Sequence, residues 1–172
     1  MKFTKIKDVK SPIRSIETDA GIDFYIPEYS EEYAKILEDL NGFAISVFTD
    51  YEGNNCIAIG KQESVLLPLG VRVDVKEGTA LVAENKSGVA SQKGLLVGAC
   101  VVDRFYEGEV ILNLHNVGKH QTIIQFGQKA IQFVQYVIAN DMPEEISNEE
   151  YEELTKQNNS KRGAGGFGHT GL

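Results

Sequence analysis

From residue 65 onward the chain is written in short apolar and β-branched runs, at 65–67, 71–75, 79–83, 95–97, 109–114, 122–124 and 130–138, broken by Gly and turn residues. Runs this short, with no amphipathic helix between them, predict an all-β sandwich or barrel and disfavour a parallel βαβ sheet. The stretches 74–79 and 106–109 carry the turn residues of hairpins. Residues 43–48 and 56–59 read as a further strand pair. Helical periodicity lies outside this middle. Residues 30–40 put Tyr33, Ile36, Leu37 and Leu40 on one face, with Ser30 as N-cap and Asn41-Gly42 as stop signal. Residues 147–156 open with Ser147 and Glu150 at capping-box spacing, which predicts a second short helix, and 157–160 read as a linker.

Composition narrows the class. A chain of 172 residues is long enough for one domain with a real core. Its formal net charge of -8 argues against a broad nucleic-acid surface, although a few local cations can still hold a small anion. Cys56 and Cys100 are too few and too far apart for a disulfide scaffold, and the N-terminus lacks the apolar core of a signal peptide. A reducing cytoplasm is therefore the expected setting, or the host cytoplasm if the chain is viral. No apolar run is long enough to span a bilayer, so no membrane partner is expected. His115, His120 and His169 show no zinc-ligand spacing with either Cys.

The candidate chemistry lies in five places. Residues 162–171 contain five glycines, one cation, one aromatic ring and a hydroxyl, a composition that orders only around something else. Arg162 suits phosphate oxygens and Phe167 suits a flat base. Residues 163–168 also match GxGxxG, but no long helix follows, which rules out a dinucleotide fold. Asn85-Lys86-Ser87-Gly88-Val89-Ala90 reads as a polar turn offering a cation, a hydroxyl and an amide to phosphate. Asp103 ends an apolar run three residues before Tyr106, where a half-buried carboxylate at a turn can take a proton from water. The stretches 18–23 and 127–132 are weak alone.

Taken in order, these elements resemble the five motifs of the trimeric dUTPases, the deoxyuridine triphosphate nucleotidohydrolases. Ala20-Gly21-Ile22-Asp23 is similar to the first motif, Lys86-Ser87-Gly88-Val89-Ala90 to the second, residues 98–108 to the third, 127–132 to the fourth and 162–171 to the fifth. The resemblance implies a jelly-roll homotrimer, with a β-rich core over 1–140 and a flexible C-terminal helix, linker and arm over 141–172. Residues 28–62, with the first helix, would be a surface insertion between the first two motifs. It implies hydrolysis of dUTP to dUMP and pyrophosphate by water attack at the α-phosphorus, keeping uracil out of DNA, with Mg²⁺ on the triphosphate and no covalent intermediate. Asp103 would aim and deprotonate the water, and Tyr106 would pack beneath the deoxyribose. The backbone of a hairpin running Gly98 to Cys100, Val101 and Val102 would read the uracil edge. Lys86, Ser87, Gly88 and Gln132 would hold the phosphate chain. Arg162 would take the γ-phosphate, Phe167 would stack on uracil, and Gly168, His169 and Thr170 would complete the cover. Asp23 would act on the metal through a bound water.

Three positions depart from that pattern: Lys86 stands where Arg is usual, Phe105 where an acid is common, and His169 where Ser is usual. Lys86 keeps the charge but loses the planar fork, and a His169 contact would strengthen on protonation. The related dCTP deaminases use a Glu five residues after the glycine that Gly108 resembles, and here that position is Asn113. The other alternative is a nucleotide-binding signalling protein with hydrolysis secondary or lost.

Overall fold

The structure is a computed structural model that describes residues 1–156. Within residues 1–139, four small antiparallel sheets enclose one hydrophobic core, a jelly-roll-like arrangement with no closed barrel among the described residues. The first sheet pairs β1 (Lys2–Lys5) with β6 (Val71–Asp74). A second runs β5 (Ser64–Pro68), β10 (Ile111–Asn116), β8 (Leu95–Val97). The third is β11 (Thr122–Gln125), β4 (Asn55–Ile59), β3 (Ser46–Thr49). The fourth, which carries most of the site, is β2 (Ile22–Tyr25), β12 (Lys129–Val137), β7 (Thr79–Glu84), β9 (Val101–Val102).

Alternation in the strands explains the core. In β10, Leu112, Leu114 and Asn116 are buried while Ile111 and His115 are exposed. In β6, Val71 and Val73 point in while Arg72 and Asp74 point out. Phe24 of β2 meets Phe133 of β12 at a ring-centroid distance of 4.5 Å, which ties two neighbouring strands inside the core.

Helix α1 (Glu31–Asn41) forms where periodicity and caps predict it. Ser30 Oγ accepts from the Tyr33 amide at 3.0 Å, and Gly42, at φ +71°, closes the helix with a bond to the Glu38 carbonyl. Tyr33 and Leu37 are buried; Ile36 and Leu40 are only half-buried. Asn41 clamps the helix to β5: its amide accepts from Leu66 N–H at 2.8 Å and donates to the Leu66 carbonyl at 3.0 Å. Tyr33 Oη donates to the Pro68 carbonyl at 2.6 Å. The expectation that 28–62 is surface decoration fails at its far end, because Cys56, Ile57 and Ile59 of β4 are core residues. Apolar alternation in β4 is the signal that was underweighted.

Three other expectations are corrected. The stretch 74–79 makes a tight turn, with Gly78 at φ +70°, but it joins β6 and β7, which lie in different sheets, so it is no hairpin. The stretch 106–109 is likewise a loop that feeds β10. A helix does interrupt the β-rich middle: residues read as a polar turn begin α2 (Ser87–Lys93). Seven residues with one buried apolar side chain, Val89, are too short to show a 3.6-residue period.

In the second unit, from residue 140, α3 (Asn148–Lys156) carries the predicted capping box: the Ser147 amide donates to Glu150 at 2.8 Å and Ser147 Oγ accepts from the Glu150 amide at 3.2 Å. No helix of the described residues is long and apolar enough to cross a membrane.

Asn41→Ala removes both bonds of the clamp to Leu66 and should cost about 2 kcal/mol. A thermal scan should show the midpoint falling by about 4–8 °C.

Candidate active site

Three of the sequence motifs converge on one carboxylate. Asp23 lies on β2 between inward-facing Phe24 and partly buried Ile22, directly opposite Gln132 of β12. Its own backbone is clamped to Ile13 by a pair of hydrogen bonds at 2.7 and 3.0 Å. Lys86, at the N-cap of α2, reaches Asp23 Oδ1 at 2.7 Å, and Lys129 reaches Oδ2 at 2.8 Å. Ser15 Oγ also bonds Oδ2, at 3.0 Å. Lys129 faces this way because of a bulge. The register slips between Lys129 and Ile131, so Ile131 stays in the core while Lys129 turns toward Asp23.

The electrostatics follow from those contacts. Asp23 is 6% exposed. Burial pushes its carboxyl pKa up, but the hydrogen bonds from Lys129, Lys86 and Ser15 outweigh burial and hold it below the ordinary 3.8. The same pair raises the Lys129 pKa. Two ammonium groups around one carboxylate leave a local excess of positive charge, which attracts an anion. Gln132 sits beside them: its Nε2 donates to the Asn85 carbonyl at 2.9 Å, and its amide oxygen fills the space where a Cβ on Gly21 would lie, at 2.3 Å. Ser87 and Gly88 follow Lys86 and are exposed.

The third motif occupies different ground. Residues 98–102 do not form the expected hairpin: β8 pairs with β10, β9 pairs with β7, and the chain turns a corner from one sheet to the other. The Cys100 carbonyl accepts from Ala83 N–H at 2.7 Å, and Val101 and Val102 face Val82 and Leu81. As the outer strand of its sheet, β9 keeps one row of backbone donors and acceptors unpaired by strands, a ready edge for a planar hydrogen-bonding ligand. Asp103 follows β9 and is exposed in the single chain, not half-buried as expected. Tyr106 turns back so that its Oη donates to the Glu109 carbonyl at 2.9 Å, packing over Gly108, where a Cβ would strike the phenol. Phe105 is 82% exposed at φ +69°, a left-handed conformation rare for an aromatic residue, with the Arg104 guanidinium 4.5 Å above its ring. With Phe3 and Val73, Phe105 and Tyr106 line an open groove of about 430 Å³.

The two groups are far apart within one chain. β9 runs antiparallel to β7, with Val102 opposite Leu81, so Asp103 leaves near Ala80 while Lys86 lies just beyond the other end of β7. At the rise of an extended strand the separation is roughly 15–20 Å. Arg162, Phe167, Gly168, His169 and Thr170 lie outside the described residues.

A sequence profile of the dUTPase family matches residues 41–171. The deoxyuridine 5'-triphosphate nucleotidohydrolase of Chlamydia trachomatis serovar L2 is 36% identical over 121 residues, 69% of this chain and 78% of that one. The chain belongs to the dUTPase family. The Shewanella pealeana enzyme of the same name is 26% identical over 168 residues, covering 95% of this chain and 99% of its own. Among solved structures, the dUTPase of Staphylococcus bacteriophage 80alpha with dUpNHpp superposes at a TM-score of 0.71, with 21% identity and coverage of 99% and 98%. A dUTPase from phage phi11 of S. aureus, described with a structural Mg(II) ion, superposes at 0.65 with 17% identity over 86% of this chain and 96% of that one. At these identities the structural likeness speaks for the fold alone.

Asp23 is a poor fit to a metal-bound water. Both its oxygens already accept from ammonium or hydroxyl groups, and the two lysines place positive charge where a divalent cation would approach. Among the described residues no cluster of His, Cys, Asp and Glu could hold a metal directly. Sequence reasoning passed over Lys129, although it stands three residues before Gln132 in a motif already recognised. It also passed over Ser15 and Asn85, whose roles are set by tertiary contact and leave no local signal.

The ion pairs give a pH signature. A lowered carboxyl pKa contributes stability that is present above the unfolded value of 3.8 and is lost as pH falls through the lower folded value. Asp23→Asn should cost about 2 kcal/mol at pH 7, a figure reduced for the partly exposed lysines. Unfolding curves for wild type and variant should converge below the ordinary carboxylate range.

Proposed function

We propose that the chain hydrolyses dUTP to dUMP and pyrophosphate in a site shared between copies of itself, as a homotrimer. Membership of the dUTPase family supports the reaction. The single observation that supports a shared site is the separation of Asp103 from the Asp23, Lys86 and Lys129 cluster along β7. A nucleotide bridging base, sugar and phosphates cannot draw on both groups from one chain, so Asp103 of one protomer works with the lysines of another.

In this reading the Asp103 carboxylate accepts a proton from water as the water oxygen bonds to the α-phosphorus. The bond from that phosphorus to the bridging oxygen breaks and pyrophosphate leaves. Exposure of Asp103 in the single chain suits the role, because the neighbouring protomer and the substrate supply its surroundings. Tyr106, held against Gly108, gives a flat floor to the deoxyribose. The open edge of Gly98, Cys100, Val101 and Val102 meets the pyrimidine. Lys86, Lys129, Ser87, Gly88 and Gln132 take the phosphate oxygens, and Asp23 keeps the two lysines together. Arg162, Phe167, Gly168, His169 and Thr170 cover the nucleotide. Mg²⁺, bound by phosphate oxygens and water, supplies charge neutralisation on the triphosphate. Uracil-nucleotide turnover of this kind belongs in the cytoplasm.

Asp103→Asn should abolish pyrophosphate release while dUTP still binds, as followed by calorimetry; near-wild-type turnover would show that the base is elsewhere. A panel of dUTP, dCTP, dTTP and UTP, scored for pyrophosphate and ammonia separately, should give pyrophosphate from dUTP alone.

Co-refolding Asp103→Asn with Lys86→Ala, each inactive alone, tests the shared site. Random pairing of the two chains rebuilds about a quarter of the sites. Activity near that fraction is the expected result, and none at all would place each site within one chain.

A further inference from the structure

The corner that leads into β9 is held by a side chain outside the five motifs. Asn113 lies on β10, with its side chain half-buried. Its backbone carbonyl accepts from Gly98 N–H at 2.9 Å, and its side-chain oxygen accepts from Ala99 N–H at 3.1 Å. Since the Ala99 amide can only donate, the oxygen of the Asn113 side chain must be the atom facing it. The same oxygen lies 2.9 Å from His115 Nε2, so that nitrogen carries a proton and donates. Two successive backbone amides of the corner thus end on one residue, and His115 fixes that residue's rotamer.

Gly98 shows how tightly the three fit. A Cβ built there would sit 1.9 Å from the Asn113 oxygen and 2.3 Å from His115 Nε2, so the two side chains occupy the volume that a methyl would need. No positive φ explains this glycine. Close approach does. The corner is therefore shaped from outside, by β10, and Cys100, Val101 and Val102 inherit their placement from it.

We propose that Asn113, buttressed by His115, is a specificity-determining positioning residue. It holds the Gly98–Ala99 corner so that the open edge of β9 presents its donors and acceptors in register with a uracil and out of register with a cytosine. The inference rests on the reading that residues 98–102 meet the base. A site that leaves a polar edge unpaired with the wrong base discriminates strongly only if its own groups are fixed, because a corner free to shift re-forms the lost bonds. Asn113 supplies that rigidity without touching the nucleotide.

The test uses Asn113→Leu, which removes the acceptor at similar volume, and Asn113→Asp, which keeps it. KM and kcat are measured on dUTP and dCTP, with thermal scans as the control for folding. Asn113→Leu should raise the KM for dUTP by about 10-fold, the worth of one hydrogen bond. It should leave kcat within about 3-fold and narrow the preference for dUTP over dCTP by a similar factor, a change in base choice that general loosening of the fold does not give. Asn113→Asp should recover most of both. Asn113→Ser, which lacks the reach to Ala99 but leaves room, carries the test if the Leu variant does not fold. Wild-type KM and preference in the Leu or Ser variant overturn the inference, as does an Asp variant no better than Leu. A wild-type enzyme that does not distinguish dUTP from dCTP would instead overturn the base reading beneath it.

Discussion

The pairing of β7 on both sides is the constraint from which the site follows. On one side β12 brings Lys129 and Gln132 alongside Asp23 of β2; on the other, β9 carries the chain toward Asp103. Antiparallel register fixes these partners to opposite ends of β7. Shifting β9 by even one residue would turn Val102 and Leu81 to the wrong faces, so the separation of acid from cations cannot relax locally. A fold that divides its chemistry along one strand needs repetition by symmetry to become an enzyme, and a family of homo-oligomers meets that need.

Much of the fold was legible in the sequence. Helix α1 announced itself through Ser30, the spacing of Tyr33 and Leu37, and Gly42, and α3 through Ser147 and Glu150. These are local signals, decided within one turn of chain. Misreadings came where the deciding contact is distant. The residues at 74–79 and 98–102 have the composition of hairpins, yet each passes between sheets, because strand partners are chosen by the core and not by the turn. Helix α2 was missed because a seven-residue helix with Gly88 in its first turn has almost no periodicity, and its stability comes from Val89 entering the core.

The site was legible to a different extent. Motif order pointed to Asp23, Lys86, Gln132, Asp103 and Tyr106, but not to how they interact. That Lys86 would spend its charge on Asp23 depends on a bulge in β12 and on the N-cap geometry of α2, neither of which is written in the motifs. Asn113 and His115 stayed hidden for the same reason: an exposed or half-buried polar side chain on a strand reads as surface until its partner, 14 residues back at Ala99, is known.

The charge distribution gives these contacts a common sense. The whole chain carries -8, a field that repels a polyanionic nucleotide at long range. Against it, Lys86 and Lys129 must be held side by side although they repel each other, and a largely buried carboxylate between them is the economical way to do so. Asp23 lowers the cost of bringing the two ammonium groups together, yet its single charge does not cancel both. What remains is a confined positive site in a negative molecule, screened by salt at distance but effective at contact. A second lysine in place of a metal-binding carboxylate environment therefore makes this part of the protein an anion seat, and leaves the divalent cation to arrive with the phosphates it neutralises.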